Sequence, residues 1–438
     1  MFNDANISFF WKIEIKIRFL RRFNTDLCIF KLENSKKIRI LKRKLSLKAL
    51  LYVMISKPYR IMLVLGLGLY FLGGLYTEIG AFFLNFVTII FFYRVAIFIH
   101  EAGHLFFAKL AGGTPLRIEL GMGYYVYTRK IMDVQVVLKS KFDRGFAFFV
   151  FKKPSKLKHI IAAAGGFLTN FTIAALIYFL FGFSHTHAYD PVSDFIFANV
   201  FAGVFSLIPM KYSGRNSDGL RILRLLFNKQ ILEVNADEAI KFYRAISLHE
   251  NSAYPKAIPL YRELLESEGY GDLAKINLAD CHYKTGETHI SFEILNEMLD
   301  DFAPEKKEIY LYVYNNLAWH YILFDQPEKA LENALSAYRI DPKNFFAKAT
   351  YGISLIETGE YVQGGKLLVK DVNLSYFNRN MFIKALYLAY AYHQLDKPAK
   401  KAKYIKYIHK YRKELVDWDE KTAYNRIVEK MQTAEIHE

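Results

Sequence analysis

The sequence predicts a mainly α protein: a multi-pass membrane helix bundle of about four spans with a small β-hairpin insertion, then a C-terminal α-solenoid of helical repeats. Three observations carry this. Of the 438 residues 53% are hydrophobic and 23% charged, a balance that excludes a disordered or collagen-like chain. Residues 61–93 hold a single charged side chain, Glu78. After about residue 229 small residues recur near every thirty-fourth position, the mark of stacked repeats.

The first 60 residues carry 15 basic and 4 acidic side chains out of a net +16. Such an arm binds nucleic acid or anionic lipid, but before a long apolar run positive charge marks the cytoplasmic side of a span. Nucleic acid is therefore not an expected partner, whereas the lipid bilayer is. Within the arm, taken as residues 1–58, Trp11 to Phe19 alternate apolar and charged with period 2, which predicts a strand. The apolar run starts near residue 61 with no small-residue cleavage site after it, unlike a signal peptide.

A 33-residue helix over 61–93 would be about 50 Å long, too long for one crossing. Gly73, Gly74 and the Thr77–Glu78 pair are the expected break, giving spans at 61–76 and 79–99; 160–183 and 194–210 supply two more. The loops near Thr77 and over 184–193 contain no Lys or Arg, while 112–159 and the chain after Lys211 are rich in both. Both termini are expected to be cytosolic. Between the second and third spans, apolar runs around Gln135 and over 146–151, with Gly121 and Gly123, predict short strands, a β-hairpin dipping toward the membrane. Lys152, Lys153, Lys156 and Lys158 mark the cytosolic start of the third span and face anionic lipid. His185 and His187 read as an exposed polar loop.

From 229 to 438 the pattern is of soluble helices. Ala245, Ala279, Ala318, Gly352 and Ala389 stand 34, 39, 34 and 37 residues apart, and twelve residues beyond the first four lie Ala257, Ser291, Ala330 and Gly364. Paired helices that cross closely need such small residues. Tyr321, Ala337 and Pro342, in the unit opened by Asn316 to Trp319, complete a pattern that resembles a tetratricopeptide (TPR) array of about five repeats. The resemblance implies an extended concave surface suited to a protein partner or to the cytosolic part of a substrate. Two cysteines, Cys28 and Cys281, are too few for a disulfide framework, which suits a reducing compartment.

The chemistry centres on His100, Glu101, Ala102, Gly103 and His104, an HExxH pattern. On a helix the histidines fall at i and i+4 on one face, as two ligands to one Zn²⁺ require, and Glu101 stands beside them to act on a metal-bound water. A Glu and two His at the end of an apolar span are costly unless paired or metal-bound. Zinc enzymes of this kind need a third protein ligand, and Asp218 stands out in the stretch after the fourth span.

These segments together resemble the site-2 protease family of intramembrane zinc metalloproteases. The family's elements occur in order over about 59–228: the HExxH helix, Gly166 to Asn170 in a central helix, and Ser206 to Pro209 followed by Asp218 and Gly219. The resemblance implies His100, His104 and Asp218 as zinc ligands, Glu101 as general base, and Asn170 as a polar group near the substrate or the transition-state oxygen. Phe167 stands where the family usually has Pro and Ser206 where it has Asn, and eight residues separate Pro209 from Asp218. Asp133 and Asp143 fall in the hairpin and Asp190 and Asp194 on the far side, so none matches the depth of Asp218. The implied substrate is a transmembrane protein cleaved in or near its span, and the expected location is the bacterial cytoplasmic membrane. Arg94, seven residues before Glu101, is expected to meet an acidic group or carbonyls inside the bundle. The alternative is an inactive membrane-anchored repeat scaffold. A transporter has little support, because the spans show no internal repeat.

Overall fold

A computed structural model describes residues 54–55, 57–183, 188–212, 215–227, 235–300, 306–370 and 372–436. The Trp11–Phe19 strand, with the rest of the basic arm up to residue 53, and the His185–His187 loop lie outside the described residues. The chain divides into units 1–43 and 44–438, and all that follows concerns the second.

Helix α1 (Lys57–Leu72) and α2 (Leu75–Leu110) are joined by Gly73 and Gly74, with φ of 81° and 58°. The break therefore falls on the glycine pair, which alone tolerates two successive positive φ values. Thr77 and Glu78 are inside α2, where Glu78 faces the positive end of the helix dipole. The 36 residues of α2 run about 54 Å, and the HExxH segment lies in its last third. Among the described residues two helices suffice by length and composition to cross a membrane, Tyr76–Leu110 and Lys156–Phe181, while Pro58–Leu72 and Pro191–Leu207 are shorter apolar helices.

The hairpin is longer than the short strands expected. Strand β1 (Thr114–Ile131) and β2 (Val134–Val150) both bend, so that Arg117 is aligned with Phe148 on one side and with Gln135 on the other. The first half of β1 is thus flanked by both halves of β2. Gly121 and Gly123 sit at the bend with φ of 91° and 90°. Ile118, Leu120, Leu138 and Phe142 bury one face against Ile97 and Leu105, which fastens the sheet to α2.

Helix α3 (Lys156–Phe181) opens on Ser155, whose side chain accepts from the Lys158 amide, and α4 (Pro191–Leu207) opens on Asp190, which accepts from Val192, with Pro191 in the first turn. Both are ordinary N-caps. Thr88 of α2 donates to Asp194 of α4, which neutralises the polarity of a buried carboxyl. A two-residue ladder, β3 (Lys211–Tyr212) with β4 (Arg215–Asn216), leads into α5 (Asp218–Phe227).

Among the described residues ten helices then follow as five packed pairs: α6 (Ala236–Glu250) with α7 (Tyr254–Arg262), α8 (Gly271–Thr285) with α9 (Thr288–Asp300), α10 (Lys307–Leu323) with α11 (Pro327–Ile340), α12 (Phe345–Glu357) with α13 (Tyr361–Val369), and α14 (Arg379–Gln394) with α15 (Pro398–Tyr411). The recurring Ala245, Ala257, Ala279, Ser291, Ala318, Ala330 and Ala389 are all fully buried. A Cβ on Gly364 would overlap the Gly352 carbonyl, so α12 and α13 touch through backbone. A last helix, α16 (Trp418–Ile436), packs against α8, α10 and α14.

Candidate metal centre

One helical turn separates His100 from His104, and their ring centroids lie 4.7 Å apart. Both rings and Glu101 are buried, Glu101 at 6% exposure. Small residues let the neighbouring helix in. A Cβ on Gly165 would lie 2.6 Å from the Gly103 carbonyl, so α2 and α3 cross backbone to backbone at the motif. That crossing delivers Asn170, wholly buried, to His100.

Asn170 Nδ2 donates to the Ala96 carbonyl at 3.1 Å and to Asn199 Oδ1 at 2.9 Å. A carbonyl only accepts, so the amide orientation is set and Oδ1 faces His100 Nδ1 at 2.7 Å. Oδ1 likewise only accepts, so Nδ1 carries the proton. His104 Nδ1 lies 2.8 Å from the Ala162 carbonyl and is protonated by the same reasoning. In the neutral rings both Nε2 atoms therefore present lone pairs, because each Nδ1–H is held by an oxygen behind the ring, as is usual for metal-ligating histidines.

Asp218 comes from α5. Ser217 caps that helix, accepting from the Met210 and Leu220 amides at 3.1 and 3.2 Å while donating to the Ile208 carbonyl at 2.6 Å. Gly219 lies so close to the Leu207 carbonyl that a Cβ there would overlap it. This knot after Pro209 aims Asp218 back at the histidines: Oδ2 is 2.8 Å from His100 Nε2 and Oδ1 is 3.3 Å from His104 Nε2.

One ligand atom from each of His100, His104 and Asp218 lies within 4.8 Å of the other two, and this is the cluster of its kind among the described residues. Two nitrogen lone pairs and a carboxylate oxygen converging in a buried site repel one another unless a cation lies between them. Two His and one carboxylate suit a catalytic zinc, which leaves a coordination position open. The donor set fits the metal.

The space is held open by Gly166, where a Cβ would sit 2.5 Å from His100 Nε2 and 2.6 Å from His104 Cε1. Gly166→Ala is expected to leave the fold intact and lower zinc affinity at least about tenfold, the scale on which disturbed ligand orientation acts. Metal titration of the purified variant checks this; undiminished affinity would refute it.

Two further residues shape the site, neither of them part of the sequence motifs above. Asn199, buried in α4, completes the chain from Phe195 through Asn170 to His100; its only signal was an amide in an apolar helix. Gly145 of β2 lies against Glu101, where an added Cβ would be 2.6 Å from Oε1. Arg94 donates from Nε to the Phe142 carbonyl at 3.0 Å, so its partner is a carbonyl of β2 in the hairpin and not a group inside the helix bundle. The segment from Phe142 to Gly145 therefore runs beside α2 from Arg94 to Glu101.

Residues 87–352 match the Peptidase family M50. No curated protein matches the chain. Among solved structures, PilW, a widely conserved type IV pilus biogenesis factor, is similar at 18% identity over 47% of this chain and 96% of its own, with a TM-score of 0.32. A likeness that slight carries no argument. The family match spans more than half of the chain and includes the two histidines, Glu101 and Asp218: the chain belongs to peptidase family M50, a family of membrane metalloproteases.

Proposed function

We propose that the chain is an intramembrane zinc metalloprotease of site-2 protease type that hydrolyses a peptide bond in or near a transmembrane segment of another membrane protein. One observation carries the reading: His100, His104 and Asp218 converge beside Glu101 at the end of an apolar helix long enough to cross a membrane. Zinc held by those three residues supplies Lewis acidity to a peptide carbonyl and acidity to a water. Glu101 takes the proton of the attacking water and returns it to the leaving amine nitrogen. Asn170 acts through His100, keeping its Nδ1 protonated, and is a positioning residue. The substrate helix must unwind before attack, and the β2 edge near Gly145 offers backbone groups to receive it as an added strand.

In this reading α1 to α4 form four crossings, and both termini face the cytosol of a bacterial cell through its cytoplasmic membrane. The loop charges support the orientation. The helix pairs from α6 to α15 are a TPR-like domain that binds a protein partner or the substrate's cytosolic part.

Zinc content of the detergent-purified protein, measured with cleavage of a transmembrane substrate, tests the proposal. About one zinc per chain is expected, lost together with cleavage in His104→Ala and Asp218→Ala. A wild type without zinc would leave the repeat scaffold as the surviving reading.

A further inference from the structure

Helical repeat arrays take up ligands on their concave face, and here the chain's own last helix lies along the first helices of the pairs. Helix α16 meets α8, α10 and α14 directly and α12 through ion pairs. Its leading residues enter as a polar plug. Lys284 of α8 pairs with Asp419 at 2.6 Å, and the Trp319 indole of α10 donates to the same oxygen at 3.1 Å. Arg379 of α14 pairs with Asp417 and, at 3.3 Å, with Glu420. Trp418 meets Tyr283 edge-on with centroids 5.6 Å apart. Farther along, Ala423 and Ile427 are fully buried, and Arg426 and Lys430 reach Glu357 of α12 and Asp325.

The plug differs from a packed cap in its chemistry. Asp417, Asp419 and Glu420 are all buried, yet each keeps one oxygen without a hydrogen-bond partner among the described residues, as does the Tyr283 hydroxyl. Burial, ahead of the attraction of Arg379 and Lys284, pushes the Glu420 carboxyl up to about 7. Buried ion pairs of this sort add little net stability over apolar packing, and their best-attested use is to specify which partner and register is accepted. Were α16 to leave, Lys284 would keep the attraction of Asp280 on its own helix but lose its pair with Asp419, and Arg379 would lose both Asp417 and Glu420. An acidic replacement restores these pairs.

We propose that Tyr283, Lys284, Trp319 and Arg379 form a binding surface for a helical segment of another protein bearing an aromatic residue between carboxylates, and that α16 occupies this surface until such a segment displaces it. The inference rests on the reading of the repeats as a partner-binding domain; its test uses no cleavage readout, so it fails or stands apart from the protease reading. A tethered helix acts at an effective concentration in the millimolar range, so a free segment competes only once α16 is loosened.

The probe is a fluorescent peptide of residues 415–431, titrated into the detergent-purified full chain. Wild type is compared with Arg426→Ser/Lys430→Ser, which removes the outer ion pairs and leaves the seat unaltered. The variant is expected to bind the peptide at least tenfold more tightly than wild type, and a peptide carrying Trp418→Ala and Asp419→Asn is expected to lose that binding. Hydrogen exchange of the wild type is the second measurement, with α16 amides expected to open separately from and faster than those of α8 and α14. Exchange of α16 only together with α8 and α14 would make it a structural cap and overturn the proposal, even if the variant fails to fold. So would a variant with exposed α16 amides that ignores the peptide, or a two-chain species that binds none, which would assign the surface to exchange between copies.

Discussion

Glu101→Gln is expected to keep about one zinc per chain while cleavage falls by roughly a hundredfold to ten-thousandfold, the range lost with a general acid–base group. The separation follows from the geometry. The converging ligand atoms belong to His100, His104 and Asp218, and Glu101 is not among them. Glutamine has nearly the same shape, so the tight contact with Gly145 survives and the helix crossing at Gly103 is undisturbed. What the amide lacks is the basicity to take a proton from water. His104→Ala, by contrast, is expected to lose zinc and cleavage together. Cleavage by Glu101→Gln within tenfold of wild type would remove Glu101 from the proton-transfer role; loss of zinc in that variant would mean that it supports the metal.

Much of the centre was legible because helix geometry alone relates i and i+4: once His100 and His104 lie on an apolar helix, their convergence needs no tertiary information. Asp218 was legible by its place in a family pattern, although 118 positions separate it from His100. The knot that aims it, from Ser217 to Ile208 and from Gly219 to Leu207, is a tertiary relation that composition does not carry. The same holds for the sheet. Alternation with period 2 announces strands but says nothing of which strand lies beside which, and the flanking of β1 by both halves of β2 follows from the bends at Gly121 and Gly123. In the repeats, the spacing of Ala245, Ala279 and Ala318 reports how each pair packs locally. The curvature that brings α16 against both α8 and α14 accumulates over several pairs, so no single spacing encodes it. Gly73 and Gly74 show the converse case, where the local conformational freedom of two residues decided the break against the polar Thr77 and Glu78.

Removing either charge of the Arg117–Glu250 pair is expected to lower stability by about 3–5 kcal/mol, the cost of leaving a buried charge without its partner. Arg117 of β1 is 2% exposed and grips Glu250 of α6 with two bonds, Nη1 to Oε2 at 3.0 Å and Nη2 to Oε1 at 2.6 Å. Its Nε donates to Glu119 at 2.7 Å, and Lys139 closes the chain on the other Glu119 oxygen at 2.6 Å. Burial lowers the Arg117 pKa, but Glu250 and then Glu119 outweigh it and raise it well above the usual range, so the guanidinium stays charged. Burial raises the Glu119 pKa, and Arg117 with Lys139 brings it below the ordinary value. Two cations thus face two anions, and Glu250→Ala leaves one cation in excess. If the cost is unpaired charge, Arg117→Met/Glu250→Leu recovers most of the stability lost in either single variant, and thermal unfolding of the three proteins measures it. A double variant as unstable as the sum of the singles would show that the bonds themselves, and not the stranded charge, hold α6 to the sheet. The position of the clasp gives it a second consequence. Arg117 is aligned with Phe148, and Leu120, three residues along, is aligned with Gly145, which touches Glu101. Releasing α6 therefore frees the strand beside the Glu101 carboxylate without touching His100, His104 or Asp218, so under the proposed function Glu250→Ala is expected to keep its zinc while its cleavage rate changes.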